Sequence, residues 1–116
     1  MRWRVTGMHA AQAARLLKAA VAAGDEVVET TDMEGVQEVL AGQADHFIGI
    51  CATGTGGALA MAQVFAGQER CLTVTAATPP AAIASAAAAG VRFFGVPADR
   101  LEAIMGLLAE ALSSSR

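Results

Sequence analysis

Three features of this sequence predict an α/β fold. Short β-branched or aromatic runs alternate strictly with helical patterns, the joining segments are only a few residues long, and no linker or charge run divides the chain. Five strand-helix units in 116 residues can bury their apolar faces together in a parallel sheet covered by helices on both sides. The expected architecture is therefore a three-layer Rossmann-like sandwich with a five-stranded parallel sheet, strand order 2-1-3-4-5 favoured. It forms a single domain over residues 1–112, with 113–116 a frayed tail.

The elements follow in order. Arg2 to Gly7 (RWRVTG) has strand composition and stops at a glycine. His9 to Ala23 places Ala13, Leu16, Leu17, Ala20 and Val21 on one helical face, with Gly24 as its C-terminal glycine. Glu26 to Thr30 is a short strand, and Thr31-Asp32-Met33-Glu34 reads as a capping box opening a helix that Gly42 closes. His46 to Cys51 (HFIGIC) is an apolar run too short for a helix, followed at once by Thr53-Gly54-Thr55-Gly56-Gly57. A helical pattern resumes from Ala58 to Ala66 and ends at Gly67; Cys71 to Thr75 is β-branched and strand-like. Thr78 reads as an N-cap with Pro79 at the first helical position, before an alanine helix ended by Gly90. Val91 to Phe94 is the last strand, and Pro97 opens a final helix with Leu101, Ile104, Met105, Leu108 and Leu112 on one face.

Composition narrows the function classes. Alanine supplies 28 residues and the chain is 54% apolar, which suits one core and excludes disorder. Eight Lys plus Arg stand against 11 Asp plus Glu with no basic cluster, so no nucleic-acid partner is expected. Phe47 to Gln68 and Cys71 to Val91 carry no charge and are long enough to span a bilayer. Both are dominated by Ala, Gly and Thr with turn chemistry at their centres, so no membrane partner is expected either. Cys51 and Cys71 lack metal-ligand or disulfide spacing, which points to a reducing, cytoplasmic setting without a structural metal. No export signal is read at the N-terminus, because polar residues interrupt the apolar run one needs.

The chemistry concentrates in one segment. A glycine-rich loop between a buried strand and a helix lies at the carboxyl edge of a parallel sheet, where ligands collect. Its glycines let a ligand reach the backbone, and the helix start offers free N–H groups and a partial positive charge to an anion. The ligand-binding candidates are Thr53, Gly54, Thr55, Gly56 and Gly57, and the ligand class is a small phosphorylated or carboxylated metabolite. A tight turn that serves only packing would use the same glycines. The loop is not a Walker loop, since no Lys follows the glycines, and it follows the third strand rather than the first, where a dinucleotide fingerprint would sit. No cofactor is expected. Two readings of Cys51 stand open: a small packed side chain, or a thiol activated by the nearby helix start. His9 flanks the same cleft if strands one and three are neighbours. His46, at the opposite end of its strand, reads as a surface or junction residue, and Cys71 as packing.

The run IGICATGTGGALAMA, with TDMEGVQEVLAGQAD before it and CLTV and VRFFGV after it, resembles the YhfU-like family of small bacterial proteins of unknown function over nearly the whole chain. The first half is also similar, more distantly, to ribose-5-phosphate isomerase B and the galactose-6-phosphate isomerase subunits. That likeness rests on C-x-T-G-x-G after the third strand, matched by Cys51, Thr53, Gly54 and Gly56, and on a histidine after the first strand, matched by His9. It implies Cys51 as a base moving a proton between sugar carbons and the Gly54 to Gly57 amides as donors to the enediolate oxygen. Met8 departs from the Asp that precedes the histidine in those enzymes, and nothing after strand four resembles their ring-opening His-Asn segment.

Three functions follow as expectations: a metabolite-binding protein using the loop, an aldose-ketose sugar-phosphate isomerase using Cys51 as base, and a non-catalytic oligomerising or docking module. Alanine-rich helices make a homo-oligomer, most simply a dimer, the expected assembly.

Overall fold

The computed structural model describes residues 1–113. Its strands are β1 (Arg2–Gly7), β2 (Glu26–Glu29), β3 (His46–Cys51), β4 (Cys71–Thr73) and β5 (Phe93–Pro97). The helices are α1 (Ala10–Ala20), α2 (Asp32–Leu40), α3 (Gly57–Ala66), α4 (Pro80–Ala88) and α5 (Leu101–Ser113). All pairings are parallel, and the helices cover both faces, so the chain is the predicted Rossmann-like sandwich. Ser113 closes α5 rather than opening a frayed tail; the remainder of that expected tail, 114–116, lies outside the described residues.

The strand order is β2-β1-β3-β5-β4, which corrects the expected order of the last two strands. The reason is burial. Phe93, Phe94 and Val96 of β5 are wholly buried and feed cores on both faces of the sheet, whereas β4 is three residues long and half-exposed. A strand apolar on both faces belongs in the sheet interior, and a short one tolerates the edge. With β4 outermost, the right-handed return from β4 to β5 carries α4 onto the face occupied by α1 and α5. The larger core therefore joins α1, α4 and α5 to one face through Leu17, Ile83, Ile104 and Leu108, while α2 and α3 cover the other through Val36, Leu59 and Ala62.

Several boundaries shift for local reasons. Helix α1 stops at Ala20, four residues before Gly24, and its cap is Val21 in extended conformation. The N-cap of α4 is Pro79, with Pro80 as its first residue, because the Thr78 hydroxyl is taken by the Thr75 N–H at 2.9 Å. A 3₁₀ turn, Ala98–Arg100, separates Pro97 from α5. The capping box of α2 forms as expected, with Glu34 N–H donating to Thr31 Oγ1 and Thr31 N–H to Glu34 Oε1. His46 is not a surface residue: it is 5% exposed, its ring 5.0 Å from that of Trp3 and 6.0 Å from that of Phe94. Among the described residues no helix is long and apolar enough to cross a membrane; the charge-free tract from Phe47 divides into β3, a turn and α3.

Candidate active site

The carboxyl ends of β1 and β3 lie side by side, in register from Trp3↔His46 to Gly7↔Ile50. Because β2 follows β1 to one side and β3 lies on the other, this is the point where the winding of the sheet reverses and where open α/β sheets place their ligands. Gly7, at φ +102, turns the chain out of β1, and a Cβ there would collide with the Ile50 carbonyl oxygen. That close approach lets the Met8 N–H donate to Ile50 O at 3.0 Å and locks the two strand ends together. His9 follows in the left-handed region at φ 55, exposed, immediately before α1. The structure thus brings His9 and Cys51 to neighbouring strand ends, although no hydrogen bond joins His9 to the loop among the described residues.

The loop after β3 folds back on Cys51. Its Sγ accepts the Gly54 N–H at 2.9 Å and the Gly56 N–H at 3.3 Å, and the Thr53 hydroxyl lies 3.8 Å away. Burial pushes the half-buried thiol up, but the N–H groups of Gly56, Thr53 and Gly54 and the Thr53 hydroxyl together outweigh it, holding the thiol below its ordinary range. Cys71 is the opposite case, since burial and the charge of Glu69 push its thiol up.

The loop amides fall into two sets. The amides of Gly54 and Gly56 are occupied by sulfur, so they are not open to an external oxyanion. The N–H groups of Gly57 and Ala58, the first two residues of α3, have no acceptor among the described residues. Thr53 and Thr55 share a hydroxyl contact of 2.9 Å at the exposed rim.

Neighbouring strands hold the loop in position. Gly54, at φ +81, lies against Pro97 and Thr73, and the Thr73 hydroxyl donates to the Gly54 carbonyl at 3.3 Å. Gly49 and Gly95 are cross-strand partners; a Cβ on Gly49 would come within 2.7 Å of Ala58 Cβ, and one on Gly95 would collide with the Gly54 carbonyl oxygen and come within 2.6 Å of Leu59 Cδ2. The two bare positions let the start of α3 settle directly on the sheet. Sequence reasoning passed over both, yet each is a glycine inside an otherwise apolar strand run, which signals close approach of another element. It also passed over Thr6 and Asp32, joined by a 2.7 Å hydrogen bond from Thr6 Oγ1 to Asp32 Oδ1 on the same face of the sheet.

An open groove of about 870 Å³ continues along this edge on the α5 side, lined by Gln12, Ala76, Arg100, Leu101 and Leu107 among others. It does not include the Cys51 loop. Arg100 makes no ion pair or hydrogen bond among the described residues. No group of three His, Cys, Asp or Glu that could hold a metal ion occurs among the described residues.

Residues 1–112 match the family described as "Protein of unknown function DUF2620". The chain belongs to this family. It is 31% identical over 107 residues to the uncharacterised protein YhfU of Escherichia coli (strain K12), covering 90% of this chain and 92% of that one, and equally to YhfU of Shigella flexneri. Among solved structures, ribose-5-phosphate isomerase B of Giardia lamblia is similar with a TM-score of 0.76 at 17% identity, over 99% of this chain and 94% of that one. A ribose 5-phosphate isomerase of Thermotoga maritima gives 0.71 at 20% identity, over 98% and 86%. At such identities the likeness is one of fold.

Proposed function

We propose that this chain is an aldose-ketose isomerase of small phosphorylated sugars, with Cys51 as the base that moves a proton between adjacent carbons. The observation that carries the reading is the pair of backbone N–H groups, from Gly54 and Gly56, donated to Cys51 Sγ. A loop that only packed a helix, or only cradled an anion, would have no need to direct its amides at sulfur. A base needs its deprotonated form at working pH, and this loop favours the thiolate. The fold shared with ribose-5-phosphate isomerase B supports the same reaction class. In this reading the N–H groups of Gly57 and Ala58 face the oxygen on which charge develops, and His9 borders the cleft. Arg100 follows β5, the strand beside β3, and lines the neighbouring groove.

The test is proton exchange. Ribose 5-phosphate or galactose 6-phosphate incubated with the protein in ²H₂O gains deuterium at the carbon next to the carbonyl, and Cys51→Ala lowers that rate by about 10²-fold or more. An intact protein that exchanges neither sugar rejects the reading.

A second reading, binding of a small anion without catalysis, is favoured by the free N–H groups of Gly57 and Ala58. It predicts that inorganic phosphate raises the melting temperature of Cys51→Ala as much as that of the unaltered protein. Self-association is favoured by the exposed Val64 and Phe65 on the outer side of α3. Sedimentation of a dimer that Phe65→Lys splits supports it, and a concentration-independent monomer rejects it.

A further inference from the structure

Moving a proton between two carbons also requires one to move between two oxygens, and a single thiol at one site does not serve both. We propose that Asp32 is the second proton-transfer group of the site, acting on the sugar hydroxyl and carbonyl oxygens while Cys51 acts on carbon; this rests on the isomerase reading above. The placement comes from the sheet. Thr6 opposes Gly49 in the β1·β3 register, and Cys51 lies two residues beyond Gly49, so all three share one face. Asp32, hydrogen-bonded to Thr6, is thereby tied to the strand that runs beside the one carrying Cys51.

The carboxylate is held for the task. Thr6, 4% exposed, donates its hydroxyl to Asp32 Oδ1 at 2.7 Å, while Oδ2 accepts no hydrogen bond among the described residues. Asp32 is also the first residue of α2, so its backbone is fixed by the helix start. Among the described residues it is the only carboxylate hydrogen-bonded at the carboxyl ends of β1 and β3.

The reaction balances with these two groups alone. The Cys51 thiolate takes the C2 proton of the open-chain aldose, and the carbonyl electrons move onto O1 to give an enediolate. Asp32 takes the proton of O2 and returns it at O1. The C2–O2 double bond then forms as C1 takes the proton back from the Cys51 thiol, leaving the ketose and both groups as they began.

The experiment reads two rates from one sample in ²H₂O with ribose 5-phosphate, and again with galactose 6-phosphate: deuterium entering the recovered aldose at C2, and conversion to ketose. Asp32→Asn lowers conversion by about 10²- to 10⁴-fold, while carbon exchange persists, so the ratio of exchange to conversion rises at least tenfold. Asp32→Glu restores part of the conversion. Conversion at the unaltered rate in Asp32→Asn overturns the proposal and leaves the isomerase reading standing, as does an equal fall of both rates in a variant that melts like the parent. Absence of exchange and conversion in the unaltered protein overturns both.

Discussion

At the scale of single residues, Cys51 and Cys71 show how position rather than type decides what a thiol can do. Both are half-buried, and burial acts on each in the same direction. Among the described residues Cys71 has only the carbonyl of Gly67 as hydrogen-bond partner, at 3.5 Å, and the Glu69 carboxylate nearby, both of which disfavour negative charge on sulfur. Cys51 faces N–H donors, which favour it. Cys51 therefore carries more thiolate than Cys71 at any pH between their two titrations, and iodoacetamide at neutral pH labels Cys51 first. Preferential labelling of Cys71 in the mass spectrum contradicts this. The sequence announced the loop through Thr53-Gly54-Thr55-Gly56-Gly57, but it did not reveal that two of the amides turn inward to sulfur. That depends on Gly54 adopting φ +81 against Pro97 and Thr73, contacts made from β5 and β4.

At the scale of elements, the start of α3 is positioned by what is missing from the strands beneath it. Gly49 and Gly95 leave the sheet bare where Ala58 and Leu59 rest, so α3 and the loop before it sit lower than side chains would allow. Gly95→Ala is expected to cost about 1–3 kcal/mol, as overpacking does, measured by urea unfolding, and to slow alkylation of Cys51 by shifting the loop. An unchanged midpoint would show that the helix start has room to spare. Helix caps and strand centres were legible in the chain because they rest on local chemistry: the Thr31/Glu34 box and the HFIGIC strand form where expected. The end of α1 was not, since Gly24 looks like a terminator, yet the chain leaves the helix at Val21 to reach β2.

At the scale of the whole molecule, alternation of elements gives the layered fold but does not order its last two strands. That order depends on which of two short runs is apolar on both faces, a property visible only when Phe93 and Phe94 are seen feeding opposite cores. Likewise His46 looked like a junction residue because its strand neighbours conceal the aromatic pair, Trp3 and Phe94, that closes over it from β1 and β5. The switch point between β1 and β3 was nevertheless correctly anticipated, since it needs only the first three strands, and it brings Cys51, His9 and Asp32 to one edge. The isomerase reading of that edge depends on Cys51 being a stabilised thiolate. The direct measurement is the rate of iodoacetamide alkylation against pH in the Cys71→Ala background, read by mass spectrometry. The account predicts a single titration with its midpoint below that of an ordinary thiol, moving upward in Gly56→Pro, which removes one donor. A midpoint at or above the ordinary thiol value would contradict it.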